Sequence, residues 1–143
     1  MVQAATALTT GQTGSLAKGM STSRQTRGQG AYYAGRAAEE IVARDYMRRA
    51  GTIAHRRWRG QSGEVDLIAR EGDRVVFIEV KKSSSFSRAA ERLGPRQIAR
   101  LCHAAEEFVA NEPRGQLTEM RFDLALVNAT GQVQIIENAF CEA

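Results

Sequence analysis

Two apolar runs separated by a glycine-containing turn constrain this chain more than any other feature. Gly63-Glu64-Val65-Asp66-Leu67-Ile68-Ala69-Arg70 and Arg74-Val75-Val76-Phe77-Ile78-Glu79-Val80-Lys81 flank Glu71-Gly72-Asp73. Gly-Asp suits a two-residue hairpin turn, so the runs read as antiparallel strands. With Gly72-Asp73 as the turn, the numbers of opposed residues sum to 145. Leu67 then faces Ile78, Ala69 faces Val76 and Val65 faces Val80, which gives one wholly apolar face. The other face pairs Glu64 with Lys81, Asp66 with Glu79 and Ile68 with Phe77. A slip by one residue mixes the two faces, so pattern and turn select the same register.

The rest of the chain surrounds this hairpin. Ala34, Ala38, Ile41, Val42 and Tyr46 recur at helical spacing and predict a helix over Tyr33 to Arg49, stopped by Gly51. A short strand is expected over Ile53 to Trp58. Ser83 to Gly94 reads as a loop. Pro95 opens a helix to Asn111, proline being suited to a first turn; Ile98, Leu101, Cys102, Ala105, Phe108 and Val109 form its apolar stripe, so Cys102 is expected in the core. Met120 to Val127 and Val133 to Ile136 are strands joined by a turn at Asn128 to Gly131. The order predicts an α/β fold, a central mixed β-sheet flanked by helices, in a single domain over 31–143. Residues 1–30 differ. Eighteen of these thirty are Thr, Ser, Gly or Gln, and the segment carries only Lys18, Arg24 and Arg27. Such a composition predicts a disordered basic tail.

Charge is uneven along the chain. Residues 24–59 hold nine Arg against Glu39, Glu40 and Asp45, whereas residues 60–143 hold ten Lys or Arg against thirteen acids. A basic front half suits a polyanion, usually nucleic acid, although a solvated Arg-rich helix gives the same count. Arg56, Arg57, Arg59, Arg96 and Arg100 are the candidate phosphate contacts. Two cysteines and two histidines leave little scope for a disulfide scaffold or a His-based metal site. A cytoplasmic location is the simplest expectation.

Asp66 opposite Glu79 needs an explanation. Directly opposed residues have Cβ atoms roughly 4.5–5.5 Å apart, where like charges repel. A divalent cation reverses that balance, and Mg²⁺ takes one or two carboxylates together with phosphate oxygens and water. Lys81 shares the face of Glu79 and can orient a water or stabilise charge developing on a phosphate. The bland alternative is an exposed Glu-Lys ion pair.

These blocks, with Arg121-Phe122-Asp123 further on, resemble the YraN family of small bacterial proteins, which has a restriction-endonuclease-like fold and is grouped with the PD-(D/E)xK nucleases. The resemblance covers residues 33–140. It implies a Mg²⁺ (or Mn²⁺) site at Asp66 and Glu79, with the Val80 carbonyl as a further ligand and Lys81 as a catalytic residue. It also implies a glutamate in the first helix. Counting back from Gly51 favours Glu40, and counting on from Gly35 favours Glu39; the former is preferred. Gln97 stands where many relatives carry Lys. Arg121 and Asp123 read as a supporting charge pair, Trp58 as a packing residue and His55 as an exposed one. The leading expectation is a Mg²⁺-dependent endonuclease hydrolysing phosphodiesters in DNA, with a homodimer as one possible state. The alternatives are a nucleic-acid-binding protein without turnover and a protein-interaction module with a basic docking surface.

Overall fold

A computed structural model describes the backbone of residues 20–141 and the side chains of residues 34–141. The order is α1 (Met20–Arg48), β1 (Thr52–Arg59), β2 (Glu64–Glu71), β3 (Arg74–Lys82), α2 (Phe86–Ala90), α3 (Pro95–Val109), a 3₁₀ turn (Gly115–Leu117), β4 (Met120–Val127) and β5 (Val133–Ile136). Among the described residues no helix is long and apolar enough to cross a membrane.

The predicted helix at Tyr33 starts at Met20. Residues 20–30, expected to be disordered, are therefore helical; no proline interrupts them, and their polar composition hides the helix. The remainder of the tail expectation lies outside the described residues. The portion of α1 up to Ala34 belongs to one unit, and the chain from Gly35 onward forms the other.

The five strands lie in the order β1-β2-β3-β4-β5. All neighbours are antiparallel except β3 and β4, which are parallel. A parallel pair needs a crossover, and α2 and α3 form it. The hairpin register agrees with the sequence: Glu71 pairs with Arg74, Ala69 with Val76, Ile68 with Phe77 and Leu67 with Ile78. Gly72 takes φ 62°, a left-handed conformation open to glycine.

Both faces of the sheet are covered. Leu67, Ala69, Val76, Ile78, Ala125 and Val127 pack with Ala38, Val42, Ala43 and Tyr46 of α1. Ile68, Val75, Phe77, Phe122, Leu124 and Leu126 pack with Leu101, Ala104, Ala105 and Phe108 of α3. Trp58 and His55 both set ring edges against Phe108, at centroid distances of 5.4 Å. Val65 corrects one expectation. It joins the α3 side with Ile68, not the apolar face of Leu67 and Ala69. The irregularity lies in β1. Its pairs with β2 include Arg56–Leu67 and Trp58–Val65, but Arg57 and Asp66 between them do not pair. Arg57 adopts φ 53° at this break in the pairing, and the register shifts once more between Ile53 and His55.

A polar network holds β4 against α1. Fully buried Asp123 accepts hydrogen bonds from the Tyr46 hydroxyl at 2.6 Å, Arg121 Nε at 2.8 Å, a terminal Arg121 nitrogen at 2.9 Å and the Asn138 N–H at 3.0 Å. Arg121 also reaches both carboxylate oxygens of Glu71, at 3.0 and 3.2 Å. The Arg121–Asp123 pair is thus structural, as the sequence suggested.

Cys102 is not a free core thiol. It is disulfide-bonded to Cys141, with the two Cα atoms 5.8 Å apart. The bond fastens the C-terminal segment, including buried Phe140, to α3. The bonded residues are 39 apart in sequence, and closing a loop of this size stabilises by about 2–4 kcal/mol in the chain-entropy account. Reduction, or Cys141→Ser, should therefore lower the unfolding temperature by several degrees. Thermal unfolding with and without reductant measures it; an unchanged transition would mean that Phe140 and its neighbours hold the segment unaided.

Candidate functional site

The hairpin ladder stops at Leu67–Ile78, and the candidate site begins there. Strand alternation explains what the break exposes. The Val75 and Ser83 N–H groups point to the β4 side, donating to Glu119 and Val127 carbonyls. Even-numbered residues between them therefore point backbone groups toward β2. At Val80 the N–H meets a side chain: it donates to Asp66 Oδ2 at 2.9 Å. The Val80 carbonyl shares that direction, so it lies on the Asp66 side of the strand.

Glu79 enters from the α3 side. It is only 3% exposed. Its Oε2 accepts from the Gln97 side-chain amide at 2.5 Å and lies 3.3 Å from Lys81 Nζ. Gln97 sits in the first turn of α3, which Pro95 starts. Burial pushes the Glu79 carboxyl up to about 8, and the nearby Asp66 charge adds to the rise while Lys81 opposes it. Asp66 is raised too, again first by burial, with the Val80 hydrogen bond opposing. The charge of Asp66 thus acts directly on Glu79.

The adjacent glutamates of α1 diverge. Glu40 faces Arg56 at 3.3 Å and Arg44 at 3.7 Å and is partly exposed. Glu39 binds Arg57 through both oxygens, at 3.0 and 3.2 Å. Burial raises the Glu39 carboxyl, the Asp66 charge raises it further, and Arg57 opposes both. Of the two neighbours, Glu39 is the one whose carboxyl feels the Asp66 charge, while Glu40 lies against Arg56 and Arg44. Among the candidate phosphate contacts, Arg56 and Arg57 are engaged with these glutamates. Arg59, Arg96 and Arg100 are exposed, and Arg100 lies against Gly63 of the β1–β2 loop.

Sequence reasoning missed what Gln97 does. A polar residue on the first turn of a helix carries no signal that distinguishes solvent from a buried carboxylate. Among the described residues no three His, Cys, Asp or Glu side chains form a group able to hold a metal by themselves. Two carboxylates and one backbone carbonyl do match the sparse protein share of a Mg²⁺ shell that water and phosphate oxygens complete. Burial raises both carboxyls, and a cation between them would offset the cost of ionising them there.

The model of the uncharacterised protein family UPF0102 matches residues 38–127. This chain belongs to that family. A UPF0102 protein of Cereibacter sphaeroides is 64% identical over 113 residues, covering 79% of this chain and 97% of the relative. One from Ruegeria pomeroyi is 61% identical over 115 residues, with 80% and 94% covered. A more distant relative from Dinoroseobacter shibae is 46% identical over 115 residues, with 80% and 86% covered. The matched span contains every residue of the candidate site, from Glu39 through Lys81 to Gln97. The α/β architecture, with a five-stranded mixed sheet between helices, is consistent with a restriction-endonuclease-like fold.

Proposed function

We propose that this UPF0102 protein is a Mg²⁺- or Mn²⁺-dependent nuclease that hydrolyses phosphodiesters in DNA. One observation carries the reading: half-buried Asp66, held by the Val80 N–H, and buried Glu79, held by Lys81 and Gln97, flank the point where the β2–β3 ladder stops. An acid pair of this kind destabilises a sheet unless a cation offsets it. Asp66, Glu79 and the Val80 carbonyl would hold the metal. When bound, it would supply Lewis acidity toward a phosphate oxygen and lower the pKa of a coordinated water.

The chain's own groups do the rest. Val80 N–H fixes one oxygen of Asp66, and Gln97 and Lys81 fix one of Glu79. The Lys81 ammonium is placed to stabilise negative charge developing on the scissile phosphate. Glu39, whose carboxyl feels the Asp66 charge and which Arg57 binds through both oxygens, would be the helix carboxylate of the site. Exposed Arg59, Arg96 and Arg100 offer contacts to the sugar-phosphate backbone.

Purified protein should cut at least one of linear duplex, nicked, branched or single-stranded DNA with Mg²⁺ or Mn²⁺ and stop in chelator. Asp66→Asn and Lys81→Ala should each lose about a hundredfold or more, while Lys81→Ala retains DNA binding. Cleavage persisting in both variants would sink the reading. The second reading, a DNA-binding protein without turnover, draws on the small number of acidic ligands. It requires salt-sensitive DNA binding that chelator leaves unchanged, with no cleavage of any substrate.

A further inference from the structure

Gln97 is half-buried and comes from a different element than the acidic pair, yet its amide nitrogen donates to Glu79 Oε2 at 2.5 Å. Lys81 Nζ lies 3.3 Å from the same oxygen. Both donors thus converge on the same carboxylate oxygen, Oε2. Asp66 shows the matching arrangement, with Oδ2 tied to the Val80 N–H and Oδ1 remaining. Each acid has one oxygen fixed by a protein donor.

We infer that Gln97 is a positioning residue, which sets the rotation of the Glu79 carboxylate so that Oε1 faces the position between the two acids where a divalent cation binds. The inference rests on the metal-site reading above and adds to it a residue outside the hairpin. Groups that hydrogen-bond to a ligand commonly change metal affinity by about 10–100-fold when removed. Lys81 alone cannot do the same work. It is two residues from Glu79 on the same strand and approaches on a flexible four-carbon stem, whereas Gln97 is anchored to the first turn of α3, behind Pro95. Gln97 also ties the helix to the strand, so the acid pair depends on where α3 sits.

The test is Mn²⁺ affinity at neutral pH, measured by titration calorimetry on the full chain, for wild type, Gln97→Leu and Gln97→Lys. Leucine keeps much of the volume and removes the donor; lysine restores a donor long enough to reach Glu79. The expected result is affinity about 10–100-fold weaker for Gln97→Leu, with Gln97→Lys recovering most of it. Unfolding temperatures in chelator should differ little, since the pair is not needed for the fold. If wild type binds Mn²⁺ and Gln97→Leu binds it within threefold, the positioning role is overturned and the metal site stands. If Gln97→Lys fails as Gln97→Leu does, the donor is not what matters and the inference is overturned as well. If wild type itself does not bind Mn²⁺, the metal-site reading falls and takes this inference with it.

Discussion

Asp123→Ala should destabilise the protein by about 3–5 kcal/mol, the range seen when one member of a buried ion pair is removed. The unfolding temperature should drop on the order of 10 °C. Asp123 is fully buried and accepts four hydrogen bonds, two from Arg121 and one each from Tyr46 and Asn138. Its loss leaves the Tyr46 hydroxyl and the Asn138 N–H without their acceptor. Arg121 keeps Glu71, so the cost should sit nearer the lower bound. Tyr46→Phe removes a single bond to a charged acceptor and should cost roughly 1.5–3 kcal/mol. Burial and the Asp123 hydrogen bond both hold the Tyr46 phenol far above its usual range. Urea unfolding of the two variants measures both values. An Asp123→Ala protein within 1 kcal/mol of wild type would show that the network does not carry the fold here.

Much of this fold is legible because the hairpin turn fixes the register. Gly72 is the residue best able to adopt the turn's positive φ, and the alternating apolar residues agree with only one pairing. The pattern fails at Val65 and Asp66, where pairing with β1 is interrupted opposite Arg57, whose φ of 53° is not flagged by its own identity. The start of α1 was hidden for a different reason. An apolar stripe announces only the part of a helix that packs, and residues 20–30 have none. Cys102 and Cys141 are 39 residues apart, and nothing in that spacing says that α3 and the C-terminal segment meet. Local pattern does place Asp66, Glu79 and Lys81 near one another. The contributions of Gln97 and Glu39 come from two separate helices, so they depend on tertiary packing that no local period encodes.

In chelator, stability should fall as pH rises from about 5 to about 8.5. Burial and the Asp66 charge raise the folded-state Glu79 carboxyl from its ordinary 4.5 to about 8. Between those values the native protein holds a proton that the unfolded chain has lost. The unfolded state binds fewer protons there, so unfolding becomes easier with each step up in pH. The penalty is absent below the ordinary value and complete above the raised one. A tenfold change in proton affinity is about 1.4 kcal/mol, so the fall across the window should be roughly 2–4 kcal/mol, with coupling to Asp66 reducing it from the simple product. Glu79→Gln supplies the baseline, because any slope it retains belongs to other groups. Asp66→Asn keeps the shape and removes the neighbouring charge, so near pH 8 in chelator it should be as stable as wild type or more so. A saturating divalent cation should reverse the wild-type trend, since it displaces the Glu79 proton more readily as pH rises. At a hundred times its dissociation constant, a ligand confined to the folded form adds about 2.7 kcal/mol. Asp66→Asn should gain little from it. Thermal unfolding of the three proteins across this range, with chelator and with Mn²⁺, decides the matter. Equal slopes in wild type and Glu79→Gln, together with equal metal effects in wild type and Asp66→Asn, would mean that the two carboxylates neither interact nor bind a common ion. An exposed Glu-Lys pair would behave that way, since such pairs contribute about 0–1 kcal/mol and titrate near their ordinary values.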